Sequence, residues 1–199
     1  TRRGEGPVRI DMKAEGGSMG TRDLSGIVSG GNGFIHGALT LHQRITDGFN
    51  TSLTGSEKDN AHQDLVAFKG GIRPTEAFAL DVMLRRTTNR GGRDDENFAG
   101  PAGTLLVQTD TPSRFEWTTL LMGAEARLDT FGGFWTHALR ISRNATTYQD
   151  TIDVSGFFNV YEDPSGNDRM AYLSTFRFGT PGMASVRHTL TAMIEQERD

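Results

Sequence analysis

The chain has 199 residues, a formal net charge of −4 and no cysteine, which excludes disulfides and thiolate metal sites and argues against nucleic acid as a partner. Only 35% of the residues are hydrophobic, a low share for a protein with a dry core. No apolar run approaches the roughly 18 residues of a membrane-spanning helix, so β-strands would be the only way for this chain to cross a membrane.

The first predicted strand lies in the segment Pro7–Gly17 and alternates strictly between apolar and charged residues. Successive side chains of a strand point to opposite faces, so one face is apolar and the other is ionic. The apolar set is Val8, Ile10, Met12 and Ala14, and the charged set is Arg9, Asp11, Lys13 and Glu15. Two structures can use such a strand: a soluble sandwich with its polar face in water, and a membrane barrel with its apolar face on lipid.

Further segments with a two-residue period follow along the chain, and nothing comparable supports a long helix. They give roughly nine strands in all, counted from apolar alternation and from β-branched and aromatic content. In chain order they are DLSGIVS, GFIHGALTLHQRI, DLVAFKGGI, AFALDVMLRR, WTTLLMGAEARL, FWTHALRIS, AYLSTFRF and VRHTLTAMIE.

The connections between these strands alternate between short and long. The short ones, SGGNG, RPTE, DTFGG and TPG, are Gly- or Pro-rich turns, and the long polar ones are Thr46–Gln63, Thr88–Thr104 and Asn144–Arg169. Outer-membrane barrels show this asymmetry, with short periplasmic turns and long extracellular loops. The aromatic residues Phe34, Phe78 and Trp135 lie beside short turns, where an interfacial girdle belongs. We therefore predict an all-β fold: an antiparallel transmembrane β-barrel, partial, with roughly nine up-and-down strands of a larger barrel.

Several short motifs, in order along the whole chain, resemble the TonB-dependent outer-membrane receptors. TRRGEG resembles the end of that family's plug domain, and GSMGT with the Gly-rich second strand resembles its first barrel hairpin. TDGFN followed by EKD resembles the start of the next loop, and RHTLTAMIEQERD resembles a mid-barrel strand. Each motif is short and degenerate, so the specificity of the resemblance comes from their order and spacing.

The resemblance implies residues 1–6 as the plug junction and residues 7–199 as the N-terminal part of a barrel of about 22 strands. It implies a bacterial outer-membrane receptor that takes up a scarce metal chelate, such as a ferric siderophore, haem or vitamin B12, driven by the TonB complex. Its partners would be the chelate, outer-membrane lipid and the TonB complex through a plug segment missing here. We expect such a fragment to leave both sheet edges unpaired and not to transport by itself.

Charged residues opposite the apolar face are predicted to line the lumen and to contact the plug or water. A basic residue at the lipid midplane would cost roughly 2–4 kcal/mol, so an inward position is expected. The set is Arg9, Lys13, Arg44, Lys69, Asp81, Arg85, Glu125 and Arg140. The alternative is that these residues form a wall that contacts only water and no plug.

Aromatic residues of the long connections are the candidates for contact with the ligand, because they offer rigid contact area at little entropic cost. They are Phe98, Tyr148, Phe158 and Tyr161, and packing among the loops is their alternative role. The run Asp94, Asp95, Glu96 with Asn97 carries the oxygen donors that calcium prefers, against the simpler reading of solvated loop charge. No other cofactor is predicted.

No nucleophile, base and orienting acid form a recognisable catalytic motif, so we predict that the chain is not an enzyme. The alternatives from other classes are a passive porin-like channel, a soluble β-rich binding module and an outer-membrane lipase barrel. The lipase would need a Ser–His pair on the outer wall, for which His137 beside Leu139 is the only hint.

Overall fold

In a computed structural model, the described part of the chain is almost entirely β-structure; it comprises residues 4, 6–52, 56–99, 105–154, 157–180 and 183–199. The helical content of this part is a 3-10 turn at Phe131–Gly133. None of its helical segments has the length and apolar character needed to cross a membrane. The all-β prediction is confirmed.

Eleven strands make up the described fold, and most of them are long. Their bounds are β1 Arg9–Gly16, β2 Arg22–Gly31, β3 Ile35–Thr46, β4 Ala61–Thr75, β5 Phe78–Gly92, β6 Asp95–Ala99, β7 Leu105–Thr109, β8 Arg114–Thr130, β9 Trp135–Val154, β10 Phe157–Thr180 and β11 Met183–Arg198.

Nine of these strands form one antiparallel sheet in the order β1-β2-β3-β4-β5-β8-β9-β10-β11, and β6 and β7 form a separate hairpin. Every strand of the large sheet pairs with its predecessor in that order, so the sheet is an up-and-down meander, and the predicted strand count is confirmed. The sheet is open, with β1 and β11 at its edges. A closed barrel is therefore not formed by this sheet alone.

The register gives the sheet two faces of opposite character. One transverse row joins Val28, Leu39, Phe68, Leu84 and Met122 across five neighbouring strands. We call the side that carries this row the apolar face. Its large apolar members include Ile10, Met12, Leu24, Val28, Leu39, Leu41, Val66, Phe68, Leu80, Val82, Leu84, Leu120, Met122, Leu128, Trp135, Leu139, Ile141, Met170, Tyr172, Phe176, Leu190 and Ile194.

The opposite side, which we call the charged face, carries ionic rows. Asp81, Glu125, Arg140, Ala171 and Glu195 stand opposite one another along one such row. Because strand side chains alternate with a period of two, a one-residue slip would move every apolar side chain to this face. The strict alternation in the sequence therefore fixes the register as well as the strands.

The sheet is a single layer without an apolar core. Within the described ranges, only Ala38 and Ala171 are buried apolar residues. Large apolar side chains are exposed instead; Met12 is 86% exposed and Ile194 is 76% exposed. The low hydrophobic content of the chain is thus explained by an apolar surface rather than by a small interior.

The two ends of the sheet differ in their connections. At the short-turn end, residues 32–34, 76–77 and 131–134 join strands tightly. At the long-loop end, the strands of the large sheet are separated by longer stretches of sequence, residues 47–60 and 93–113, the second of which contains β6 and β7. A membrane crossing needs only about 9–11 tilted residues per strand, whereas β9 has 20 and β10 has 24. These strands therefore extend well beyond the apolar rows.

The prediction of a long polar loop at Asn144–Arg169 is wrong, because this segment continues β9 and β10 as one hairpin. Thr, Tyr, Ile and Val residues favour a strand here, but neither side of the segment is apolar. A search for apolar alternation misses strand segments that are polar on both sides. For the same reason, the predicted loop Thr88–Thr104 contains the end of β5 and the whole of β6.

Candidate functional site

All eight residues predicted to line a lumen belong to the charged face. The register places each of them on the side opposite the apolar rows, from the first strand to the ninth. They are Arg9, Lys13, Arg44, Lys69, Asp81, Arg85, Glu125 and Arg140. The strand register shows that these residues share one face. That this face lines a lumen remains a prediction.

Ion pairs tie the charged face together across strands. Arg140 pairs with Glu125, and Arg169 Nη2 lies 2.6 Å from Glu195 Oε1. Two of these pairs line an open concavity of ≈ 380 Å³. Each pair is partly exposed, so solvent screens the attraction between its charges and its net contribution to stability is small. The pairs therefore neutralise charges on this face and add little to the stability of the sheet.

Two histidines join this network through neighbouring carboxylates. His36 Nε2 lies 3.1 Å from Asp81 Oδ1, and His42 Nε2 lies 3.0 Å from Asp23 Oδ1. His36 is only 8% exposed. No group of three or more acidic or imidazole side chains in the described ranges is arranged to hold a metal ion. The histidines are therefore wall residues with carboxylate partners.

A second concavity of the charged face, ≈ 610 Å³ in volume, carries cations without close counterions. Lys69 and Arg85 line it together with Asp11. Neither Lys69 nor Arg85 forms an ion pair among the described residues. Free cations on a concave wall are available to acceptor groups of whatever fills the concavity.

The segment before β1 lies against the charged face at the short-turn end. Gly31 N donates to Gly6 O at 2.8 Å. A Cβ added to Gly31 would point to the charged face and collide with the Gly4 carbonyl oxygen, and a Cβ added to Gly4 would collide with the Gly37 carbonyl. This close approach of two backbones requires glycine at both positions. The chain thus enters β1 from the charged face; residues 1–3 and 5 of the predicted junction lie outside the described residues.

The predicted ligand-contacting aromatics are not together. Tyr148 and Tyr161 lie on the charged face towards the long-loop end, whereas Phe158 has the opposite parity on β10 and is 67% exposed. The side chain of Phe98 lies outside the described part of the chain. Tyr148, Phe158 and Tyr161 were expected in a loop, and the structure places all three on strands.

Sequence reasoning missed two aromatic residues on the same part of the charged face. Trp117 pairs across strands with Tyr148, and Phe115 pairs with Asp150, which in turn pairs with Tyr161. Trp117 is 50% exposed. The signal was present in RFEWTT, where aromatics alternate with charges, but the predicted strand began at Trp117 and left Phe115 out. Together these four aromatics form what we call the upper aromatic wall: Phe115, Trp117, Tyr148 and Tyr161.

A buried polar cluster fixes the long connection 93–113 beside this wall. Arg93 bridges Asp95 at 2.7 Å and Asp150 at 3.0 Å. Ser113, which is 1% exposed, donates to Asp95 and accepts from Asp153 N at 3.0 Å. Asp150 is 7% exposed, so its charge needs the Arg93 partner. The cluster anchors the connection to β9.

The same cluster accounts for two of the three residues predicted to bind calcium. Asp95 is held by Arg93, and Asp94 accepts from Thr51 Oγ1 at 3.1 Å. Glu96 is exposed. Because a guanidinium already neutralises Asp95, the geometry gives the calcium interpretation no support.

Aromatic side chains gather on the apolar face at the short-turn end. The rings of Trp135 and Phe176 stack with centroids 5.1 Å apart. Trp135 Nε1 donates to Ser174 Oγ at 2.8 Å, and His137 Nδ1 lies 2.6 Å from the Tyr172 hydroxyl. Amphipathic rings of this kind are typical of a boundary between an apolar and an aqueous phase.

This cluster also bears on the lipase alternative. Ser174 stands directly opposite His137, which is the Ser–His pair that a lipase would need on this wall. The Ser174 hydroxyl, however, accepts from Trp135, and the His137 ring lies within hydrogen-bond distance of the Tyr172 hydroxyl. No hydrogen bond joins nucleophile to base, and neither residue is oriented by a carboxylate among the contacts described for this region. The arrangement is not that of an activated nucleophile.

Comparison with known proteins identifies no relative: no family model, curated protein or solved structure matches the chain. The resemblance to TonB-dependent receptors therefore depends on the sequence motifs, and the functional argument depends on the geometry of the two faces.

Proposed function

We propose that the chain is part of the wall of a TonB-dependent receptor in the bacterial outer membrane, with its apolar face on lipid and its charged face towards a plug. The observation that carries this proposal is the pairing of an exposed apolar face with a charged face in a one-layer sheet. A continuous apolar surface of this size has to be covered by something. Acyl chains cover it without a second protein layer, and the low hydrophobic content then needs no core.

The entry of the chain from the charged face favours a plugged receptor over a passive porin. Gly4 lies against the backbone of β2 and β3 on that face, which is where a preceding domain would lie if it filled the lumen. The ion-paired rows and the free cations Lys69 and Arg85 offer such a domain polar contacts. A porin wall has no use for a close backbone contact at this position.

The cargo of the receptor would be a scarce metal chelate, such as a ferric siderophore, haem or vitamin B12, and its uptake would be driven by the TonB complex. The upper aromatic wall is the part of the charged face that a chelate entering from the long-loop end would meet first. Trp117 and Tyr148 provide paired ring surfaces, with Tyr161 on the next strand. Rigid rings of this kind bind planar or apolar ligand surfaces at low entropic cost.

Ligand binding is tested with a variant that leaves Trp117 as the single tryptophan, since the chain has two. In Trp135→Phe, we expect Trp117 fluorescence to be quenched by one of three probes: haem, cobalamin or a ferric hydroxamate siderophore. Tyr148→Ala should weaken the apparent affinity roughly fivefold or more, as expected for a buried ring contact. Phe158→Ala, on the opposite side of the hairpin, is the matched control and should bind normally.

Equal losses in both variants would show that the hairpin as a whole, and not the upper aromatic wall, is responsible. Quenching that is identical for free tryptophan would show optical absorption rather than binding, and the ligand assignment would then fail.

A further inference from the structure

The apolar face contains a trough along β8. In its middle part, β8 presents Leu120, Met122, Ala124, Ala126 and Leu128 to the apolar face, and two of these five residues, Ala124 and Ala126, are small. Larger side chains flank them on β5 and β9. The result is an open groove of ≈ 640 Å³ whose lining is mainly apolar and includes Leu84, Met122, Ala124, Ile141 and Met170. A lining of this kind suits a hydrocarbon chain.

Basic residues stand at the long-loop end of this trough. Arg143, Asp168 and Arg198 lie in one row of the register, and all three line the groove. Arg86 lies one row further towards the long-loop end, opposite Leu120. Three arginines against one aspartate leave the border of the trough positively charged.

The arginines are available for a ligand. Arg143 Nε lies 3.6 Å from Asp168 Oδ1, and both side chains are more than half exposed. Such a pair is held weakly in water. Arg86 and Arg198 form no ion pair among the described residues. A phosphate group placed here would meet two or three guanidinium groups, which bind phosphate in a bidentate manner.

The height of these arginines agrees with that of lipid headgroups. Arg143 is eight residues from Trp135 on β9, or about 26 Å along the strand at ~3.3 Å per residue. With a strand tilt of 35–45°, the distance along the membrane normal is about 20 Å, close to the ~25 Å apolar band of outer-membrane barrels. Trp135 and Arg143 thus mark opposite borders of the band, the first aromatic and the second basic.

We propose that this groove is a binding site for one anionic phospholipid, whose acyl chain lies in the trough over Met122 and Ala124 and whose phosphate contacts Arg143 and Arg198. The inference depends on the proposed contact of the apolar face with lipid. A free phosphate would use the arginines but not the trough, and an uncharged lipid would use the trough but not the arginines. The juxtaposition of the two favours a ligand that has both parts.

The test compares lipids that remain bound to the chain after release from nanodiscs made of equal parts phosphatidylglycerol and phosphatidylcholine with identical acyl chains. Native mass spectrometry gives the ratio of the two adducts. We expect the wild-type chain to retain phosphatidylglycerol preferentially. Arg143→Gln/Arg198→Gln should lower this preference roughly fivefold or more, the scale expected when basic residues near a lipid surface are removed.

Two further variants keep the test specific. Arg114→Gln removes an arginine from the same face eight residues higher on β8 than Met122, and it should leave the preference unchanged. Ala124→Phe fills the trough without altering charge, and it should reduce the total number of retained lipids at least twofold. Circular dichroism of each variant in detergent checks that the strands are intact.

The outcomes are distinct. Failure of the wild-type chain to insert into the nanodiscs would overturn the membrane proposal and this site with it. Insertion without a phosphatidylglycerol preference, or an equal loss in Arg114→Gln, would overturn the site alone. Retention of a second copy of the chain in place of lipid would show that the groove is a protein interface.

Discussion

Both faces of the sheet are exposed, but their side chains differ in whether they have interaction partners within the sheet. On the charged face, side chains find partners within the sheet, such as Glu125 with Arg140 and His42 with Asp23. On the apolar face, side chains such as Ile141, 51% exposed, find no second layer to pack against. A face that satisfies itself tolerates water, whereas a face that does not needs an apolar solvent. The difference shows that the environment of this protein is encoded in its surface rather than in a core.

The largest expected effect comes from exchanging the character of the two faces at neighbouring positions. Leu139 and Ser142 lie close together on β9 and project to opposite faces. Leu139→Arg should cost roughly 2–4 kcal/mol of unfolding free energy in lipid vesicles, because it places a charge midway along the apolar stretch between Trp135 and Arg143. Ser142→Arg adds the same charge to the charged face and should change stability by less than about 0.5 kcal/mol.

Urea titrations of both variants in vesicles measure the difference. Equal and small effects would mean that Leu139 is in water, and the assignment of the apolar face to lipid would be lost.

The next effect concerns the contact between the N-terminal segment and the charged face. Gly4→Ala places a Cβ against the Gly37 carbonyl and the Gly30 amide, and we expect a loss of about 1–3 kcal/mol, or displacement of the segment from the sheet. Gly33→Ala is the control, because a Cβ there meets nothing within 4 Å. Faster proteolysis of the first residues in Gly4→Ala, with Gly33→Ala unchanged, would register displacement. Identical behaviour of the two variants would contradict the backbone contact.

A smaller effect is expected at the cluster that anchors the connection 93–113. Asp150→Asn removes the charge that Arg93 pairs with and should destabilise the connection by about 1–2 kcal/mol, since Asp150 is buried but Arg93 is a third exposed. Hydrogen exchange of the connection should accelerate while exchange in β4 stays unchanged. Asp163→Asn, at an exposed position of β10, should have no effect. Faster exchange in both variants would point to a general charge effect instead.

The smallest effect is expected at the aromatic cluster of the short-turn end. Trp135→Phe keeps a ring to stack on Phe176 but loses the hydrogen bond to Ser174. We expect a loss of about 0.5–1.5 kcal/mol, the usual net contribution of one such bond. Ser174→Ala removes the same bond from the other side and should show a similar loss. A double variant that loses no more than either single variant would confirm that they share this one interaction.

The fold could be predicted from the sequence where one face had to be apolar. The alternation in Pro7–Gly17 predicts β1 and its two faces, and the same pattern predicts the lower part of every later strand. It fails at Asn144–Arg169, where the hairpin stands beyond the apolar rows and polar residues on both sides give no period. Strand propensity from Thr, Tyr and Ile was the remaining signal there, and it was outweighed by polarity.

The candidate site was predictable only in part. The parity of Arg140 and Asp81 follows from the alternation, so the charged face could be assembled strand by strand. The upper aromatic wall could not, because the pairing of Trp117 with Tyr148 depends on the register of two strands separated by a turn. The groove along β8 likewise depends on which large residues flank Ala124 after pairing. A feature formed by three or more strands depends on the register between those strands. A single sequence gives only indirect information about that register.

The central claim, that the apolar face is in lipid and the charged face is not, is tested most directly with the two tryptophans. Trp135 lies on the apolar face and Trp117 on the charged face. Single-tryptophan variants, Trp117→Phe and Trp135→Phe, are reconstituted in vesicles containing brominated phosphatidylcholine. We predict strong quenching of Trp135 by the brominated lipid, and quenching of Trp117 by aqueous acrylamide but not by the lipid. Quenching of both tryptophans by acrylamide alone would contradict the claim and would place the sheet in water.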